Sequence, residues 1–178
     1  YDKGRYVVEA NEVLAGLAEI REELDKRGIT FDLYPGNEIQ LEVKTVQDIV
    51  DRKVLRLNNS RYVLCELPML TKPSYVEDVV YEMQLNGWTP IIAHPERYTY
   101  VQENPDWLLP FIKKGCLVQM NLSSLFNPGV QELSRSLLNK GLVHLIGTDA
   151  HQSESRFPQV KEQLEELNEL IGTEKFEV

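Results

Sequence analysis

Thr89-Pro-Ile-Ile-Ala-His-Pro-Glu-Arg97 joins a short apolar run to a histidine and then to a proline turn carrying two charged residues. A run of this length reads as a strand, and His94 stands at its exit. Outward from it, the same order of elements recurs. Tyr62–Leu67 reads as a strand, and Tyr75–Leu85 as a helix closed by Asn86-Gly87. Downstream come a helix over Pro105–Lys114, a strand over Leu117–Leu122, a helix over Val130–Lys140, a strand over Val143–Thr148 and a helix over Pro158–Ile171. In that last helix Val160, Leu164, Leu167 and Ile171 are expected to face inward. Strands that are apolar throughout, alternating with amphipathic helices, make an α/β fold with a parallel sheet covered by helices.

Toward the amino end the pattern is less regular. Val7–Arg27 has helical period, with Val13, Leu17, Ile20 and Leu24 on one stripe and Gly28 as its stop. Ile29–Tyr34 is expected to be a short strand, Pro35-Gly36 a turn, Asn37–Val43 a second extended piece and Thr45–Arg52 a short helix. Leu57–Ser60 reads as a loop. No linker, repeat or low-complexity tract divides the chain, so residues 1–178 are expected to be one domain.

Composition narrows the function classes. Of 178 residues, 42% are hydrophobic and 26% charged, which excludes disordered and fibrous classes. Nineteen Lys and Arg against 28 Asp and Glu give a net charge of −9, which argues against a nucleic-acid or anionic-membrane binder. No apolar run reaches the ~20 residues of a membrane span, so no membrane insertion is expected. Cys65 and Cys116 lie in apolar runs without metal-binding spacing, and read as buried free thiols in a cytoplasmic protein.

In parallel α/β folds, chemistry gathers at the carboxyl ends of strands. The candidate exits carry Glu38, Glu66, His94, Asn121, and then Asp149 with His151. A lone Glu after Pro-Gly is usually a solvated loop carboxylate. Glu66 is harder to dismiss, because Leu64, Cys65, Leu67 and Pro68 surround it and an isolated buried carboxylate is costly. Within its strand, His144 reads as a core or supporting residue. Asp149-x-His151 is the sharpest pair, since carboxylate plus neutral imidazole is a common donor set for divalent ions. Clustered ions of that kind support hydrolysis. Arg97 and Arg156 follow His94 and His151 closely, and a guanidinium fork suits a phosphate ester. A cysteine-based phosphatase is excluded by spacing: six positions after Cys65 and Cys116 stand Thr71 and Leu122, not arginine.

Pro35-Gly-Asn-Glu38, Leu57-Asn-Asn-Ser-Arg-Tyr62, Cys65-Glu-Leu-Pro68, Ile92-Ala-His-Pro-Glu-Arg97 and Gly147-Thr-Asp-Ala-His151 together resemble a known family. It is that of the manganese-dependent tyrosine phosphatases of bacterial capsule and exopolysaccharide loci, the CpsB/CapC type of the polymerase and histidinol phosphatase (PHP) superfamily. The resemblance spans essentially the whole chain. It implies a distorted, TIM-like β/α barrel holding divalent metal ions, Mn²⁺ first, with iron, zinc or magnesium as alternatives. By motif, Glu38, Glu66, His94, Asp149 and His151 match metal ligands, and Arg97 and Arg156 match the arginines that engage phosphate. The implied substrate is phosphotyrosine on a tyrosine autokinase controlling polysaccharide export. The alternatives left open are a small-molecule phosphatase of the histidinol-phosphate type and a non-catalytic phosphate-binding module. The family opens with a His-x-His strand that has no counterpart here, where the histidines are His94, His144 and His151. The chain is therefore expected to start after the first strands of a barrel and, as given, to bind metal poorly.

Overall fold

A computed structural model describes residue 1, residues 7–151 and residues 160–171. Five parallel strands form one sheet in the order β1-β2-β3-β4-β5. They are β1 Glu38–Gln40, β2 Tyr62–Glu66, β3 Thr89–Ala93, β4 Leu117–Asn121 and β5 Leu145–Gly147. The helices are α1 Ala10–Lys26, α2 Thr45–Val50, α3 Val76–Leu85, α4 Thr99–Glu103, α5 Leu109–Lys113, α6 Gln131–Asn139 and α7 Val160–Ile171. Gly87 and Gly115, at φ 75° and 92°, take the left-handed conformation that ends α3 and α5 and turns the chain into the next strand.

The register is Glu38 with Leu64, Cys65 with Ile92, Ile92 with Val118 and Met120 with Ile146. Side chains paired across parallel strands share a face. One face thus carries Ile39, Val63, Cys65, Ile92, Val118 and Met120, all buried. Each such apolar side chain contributes about 1.5–3 kcal/mol by leaving water. The opposite face carries Glu38, Leu64, Glu66 and Gln119, which are only half-buried. The expectation of strands covered throughout holds for β3, where residues 90–93 are all buried, and is corrected for β2 and β4. Along β2, and along β4 as far as Met120, burial alternates, and polar residues of the more open face make the site.

Two further readings are corrected. Ile29–Tyr34 forms no strand, because among the described residues no strand pairs with it; Ile29, Phe31 and Tyr34 are exposed. On α1 the apolar stripe is covered only in part: Val13, Leu17 and Leu24 are half-buried and Ile20 is open, 54% exposed. Ala10 is the one buried residue of the helix. Periodicity marked a helix there, but periodicity cannot supply a surface to pack on. On α7, Leu167 is buried while Leu164 is 42% exposed, and the Ile171 side chain lies outside the described residues.

The loop before β2 has a structural task. Asn58 and Asn59 sit at φ 48° and 51°, a conformation asparagine tolerates. The Asn58 N–H donates to the Pro35 carbonyl, and a Cβ on Gly36 would lie 2.7 Å from Leu57. That contact is with the end of the Leu57 side chain, and Leu57 Cα lies 3.3 Å away, so any larger residue here would force Leu57 to shift.

Candidate metal centre

Glu38 enters the site differently from the sequence reading. It opens β1 rather than following a strand, and its register with Leu64 aims it onto the half-buried face. Glu66 closes β2 on the same face. His94 follows β3 in a left-handed conformation, φ 30° and ψ 55°, which folds it back over the sheet. The His94 N–H donates to Gln119 Oε1 at 3.3 Å. Non-glycine residues adopt this conformation only where neighbours impose it.

These three side chains converge. His94 Nε2 lies 2.8 Å from Glu38 Oε1 and 3.5 Å from Glu66 Oε1. One donor atom from each lies within 4.8 Å of the others, and among the described residues no other such group forms. The electrostatics suit a cation. Burial pushes the Glu66 carboxyl upward, and the charges of Glu38 and Asp149 add to that. For His94, burial opposes the charged imidazolium, but the bond to Glu38 and the neighbouring carboxylates outweigh it and raise its pKa. Two carboxylate oxygens and one imidazole nitrogen facing one point form a donor set that fits a divalent ion such as Mn²⁺, iron or zinc. The residues present therefore fit the implied metal.

Asp149 forms a neighbouring cluster. Its carboxylate receives Asn121 Nδ2 at 2.9 Å and lies 3.4 Å from Arg97 Nη1. Asp149 is itself left-handed, at φ 49°. His151 is 70% exposed, with Nδ1 held 2.9 Å from the Asp149 carbonyl. The structure thus brings Glu38, Glu66 and His94 together, places Arg97 and Asp149 beside them, and leaves the His151 ring turned toward solvent. Arg156 lies outside the described residues.

Three supporting residues escaped the sequence reading. Glu96 is fully buried. Its Oε1 accepts the Asn121 N–H at 3.1 Å and the Ser124 hydroxyl at 2.8 Å, which ties the turn after β3 to the end of β4. Burial raises its pKa, although the Ser124 bond opposes this. Gln119 holds the His94 backbone, and Tyr98 bridges β2 and β3. The available signal was the cluster of polar residues within 117–125, a segment otherwise apolar. His144, read as a core or supporting residue, is exposed and not in the core; its Nδ1 accepts the Val118 N–H at 3.2 Å, just before β5 begins at Leu145. Cys65 and Cys116 are free and buried, as expected.

Comparison with known proteins supports the resemblance. The family model for capsular polysaccharide synthesis, CpsB/CapC, matches residues 1–178. The tyrosine-protein phosphatase YwqE of Bacillus subtilis is 32% identical over 177 residues, covering 98% of this chain and 70% of YwqE. The tyrosine-protein phosphatase CpsB of Streptococcus pneumoniae is 24% identical over 181 residues, covering 97% of this chain and 74% of CpsB. Among solved structures, the crystallographic work on B. subtilis YwqE and S. pneumoniae CpsB, described as metal-dependent tyrosine phosphatases, contains a chain that superposes with TM-score 0.90 at 33% identity. That match covers 97% of this chain and 71% of the solved one. A family match over every residue, together with this structural likeness, places the chain in the CpsB/CapC capsular polysaccharide synthesis family.

Proposed function

We propose that this protein is a metal-dependent protein-tyrosine phosphatase that acts on a phosphorylated bacterial tyrosine kinase in the control of capsule or exopolysaccharide synthesis. The observation that carries the reading is the convergence of Glu38, Glu66 and His94 on one point with Arg97 beside them. Glu38, Glu66 and His94 hold the metal, Mn²⁺ first, with Asp149 and His151 as further ligands. Bound there, divalent ions lower the pKa of a water molecule and offset charge on the departing oxygen.

The remaining steps belong to the chain's own side chains. Arg97 is one-third exposed, so its guanidinium both reaches Asp149 and faces solvent, where it can take two phosphate oxygens at once. Arg156, by its motif, supplies a second guanidinium. The half-buried face lets a phosphorylated side chain approach the cluster from the open side, and Gln119 and Asn121 hold His94 and Asp149 steady while it does.

The sequential, all-parallel order of β1 to β5 supports reading the sheet as part of a distorted β/α barrel, a PHP fold. Among the described residues no helix is long and apolar enough to cross a membrane. A cytoplasmic site of action follows from the proposed kinase substrate. The test is phosphate release from a phosphotyrosine peptide with Mn²⁺, with chelator, and after Mn²⁺ is restored. Loss with chelator and recovery with metal are expected. Activity that survives chelation, or a stronger preference for histidinol phosphate, overturns the proposal.

A further inference from the structure

Tyr98 is fully buried, and its hydroxyl joins two strand ends. It donates to the Ala93 carbonyl at 2.6 Å and accepts the Leu67 N–H at 2.9 Å. Ala93 immediately precedes His94, and Leu67 immediately follows Glu66. The β2–β3 pairing ends at Cys65 with Ile92, so beyond that point the hydroxyl stands between the two backbones where a direct rung would otherwise lie. The Tyr98 ring also meets the His94 imidazole edge-on, with centroids 5.9 Å apart and planes at 74°.

Metal-binding histidines usually have their second ring nitrogen fixed by a hydrogen bond. Here His94 Nδ1 is buried with no such partner among the described residues. The ring is oriented instead by Glu38 on one side and by the Tyr98 edge and the His94 backbone on the other.

We infer that Tyr98 is a positioning residue for the metal centre, its hydroxyl setting the separation of the Glu66 carboxylate and the His94 imidazole before an ion arrives. This rests on the proposed metal-site reading. Tyr100 provides a matched comparison. It is buried, it stacks on Tyr98 with centroids 5.5 Å apart, and its hydroxyl has no partner among the described residues. Removing that hydroxyl deprives no strand end of a bond.

The experiment compares Mn²⁺ affinity of the full chain, Tyr98→Phe and Tyr100→Phe by calorimetric titration, with the visible absorption of the Co²⁺-loaded proteins as a second readout. Tyr98→Phe is expected to bind Mn²⁺ roughly 10- to 100-fold more weakly, the usual effect of losing a residue behind the ligands, and to shift the Co²⁺ bands. Tyr100→Phe is expected to match the parent in both. Equal affinity and an unchanged spectrum in Tyr98→Phe overturn the inference and leave the metal reading standing. Weak Mn²⁺ uptake by the unsubstituted chain is enough for the comparison, and none even at saturating metal overturns both. Should Tyr98→Phe fail to fold, amide exchange in the unsubstituted chain decides. Leu67 N–H equally protected with and without Mn²⁺ supports preorganisation, and protection that appears only on adding Mn²⁺ overturns it.

Discussion

Asn121 donates from Nδ2 to the Asp149 carboxylate at 2.9 Å, so the last side chain of β4 holds the first acidic group after β5. Asn121 is buried, and Asp149 lies at a strained backbone position. Asn121→Asp would set two carboxylates face to face with the donor removed. The expected cost is about 2 kcal/mol in urea unfolding with chelator present, because a buried charged acceptor loses its bond. A smaller loss is expected once Mn²⁺ is added.

Glu96 is held more deeply still. Glu96→Ala would leave the Asn121 N–H and Ser124 hydroxyl without their acceptor inside the protein. Unfolding is expected to be easier by about 3 kcal/mol. Glu96→Gln keeps an acceptor oxygen there and should cost less than half of that. A comparable loss in both variants would show that the charge, not the acceptor, matters.

Glu66→Gln is expected to separate stability from activity. Burial, Glu38 and Asp149 all disfavour the ionised Glu66 carboxylate, so its raised pKa subtracts stability as pH climbs above its ordinary value of 4.5. With chelator at pH 8 the variant should melt higher than the parent, and the difference should vanish near pH 4. With Mn²⁺ its phosphatase rate should fall at least about tenfold, one 1.4 kcal/mol step in the barrier.

His144 predicts a pH effect of opposite sign. His144 is exposed as a residue, but the part of its ring shielded from water disfavours the charged form and lowers its pKa from 6.5 against the Leu142 backbone bond. Nδ1 must be unprotonated to accept the Val118 N–H. A depressed pKa contributes stability that is full above 6.5 and is lost as pH falls through the lowered value. His144→Asn offers a carbonyl oxygen that does not titrate. Thermal midpoints in chelator between pH 7.5 and 5 should show the parent losing stability relative to this variant.

Much of the architecture was legible before any coordinates. From Tyr62 onward, contiguous apolar runs ended by glycine turns made the strands and helices plain, because each signal is local. Ile29–Tyr34 misled for the reason that β-propensity describes a surface needing a partner, and among the described residues none pairs with it. His94 and Glu66 were readable as conspicuous polar residues at the ends of apolar runs. Glu38 was singled out on a mistaken premise, since it opens a strand rather than following one, and the fold brings it beside Glu66 and His94. Glu96 and Tyr98 stayed hidden because their tasks depend on residues 25–31 positions away, a separation no local pattern reports.

The turn from His94 to Tyr98 has a consequence for how this protein can vary. Within five consecutive residues, His94 meets Glu38 and Glu66, Glu96 takes the end of β4, Arg97 reaches Asp149, and Tyr98 takes the end of β2. Lengthening or shortening this segment by one residue would rotate every later side chain away from its strand and cut all of these ties together. Residues 127–129, by comparison, are exposed and could absorb an insertion. Among natural variants, indels should therefore accumulate around Asn127 and be missing between His94 and Tyr98, however far the residue identities drift.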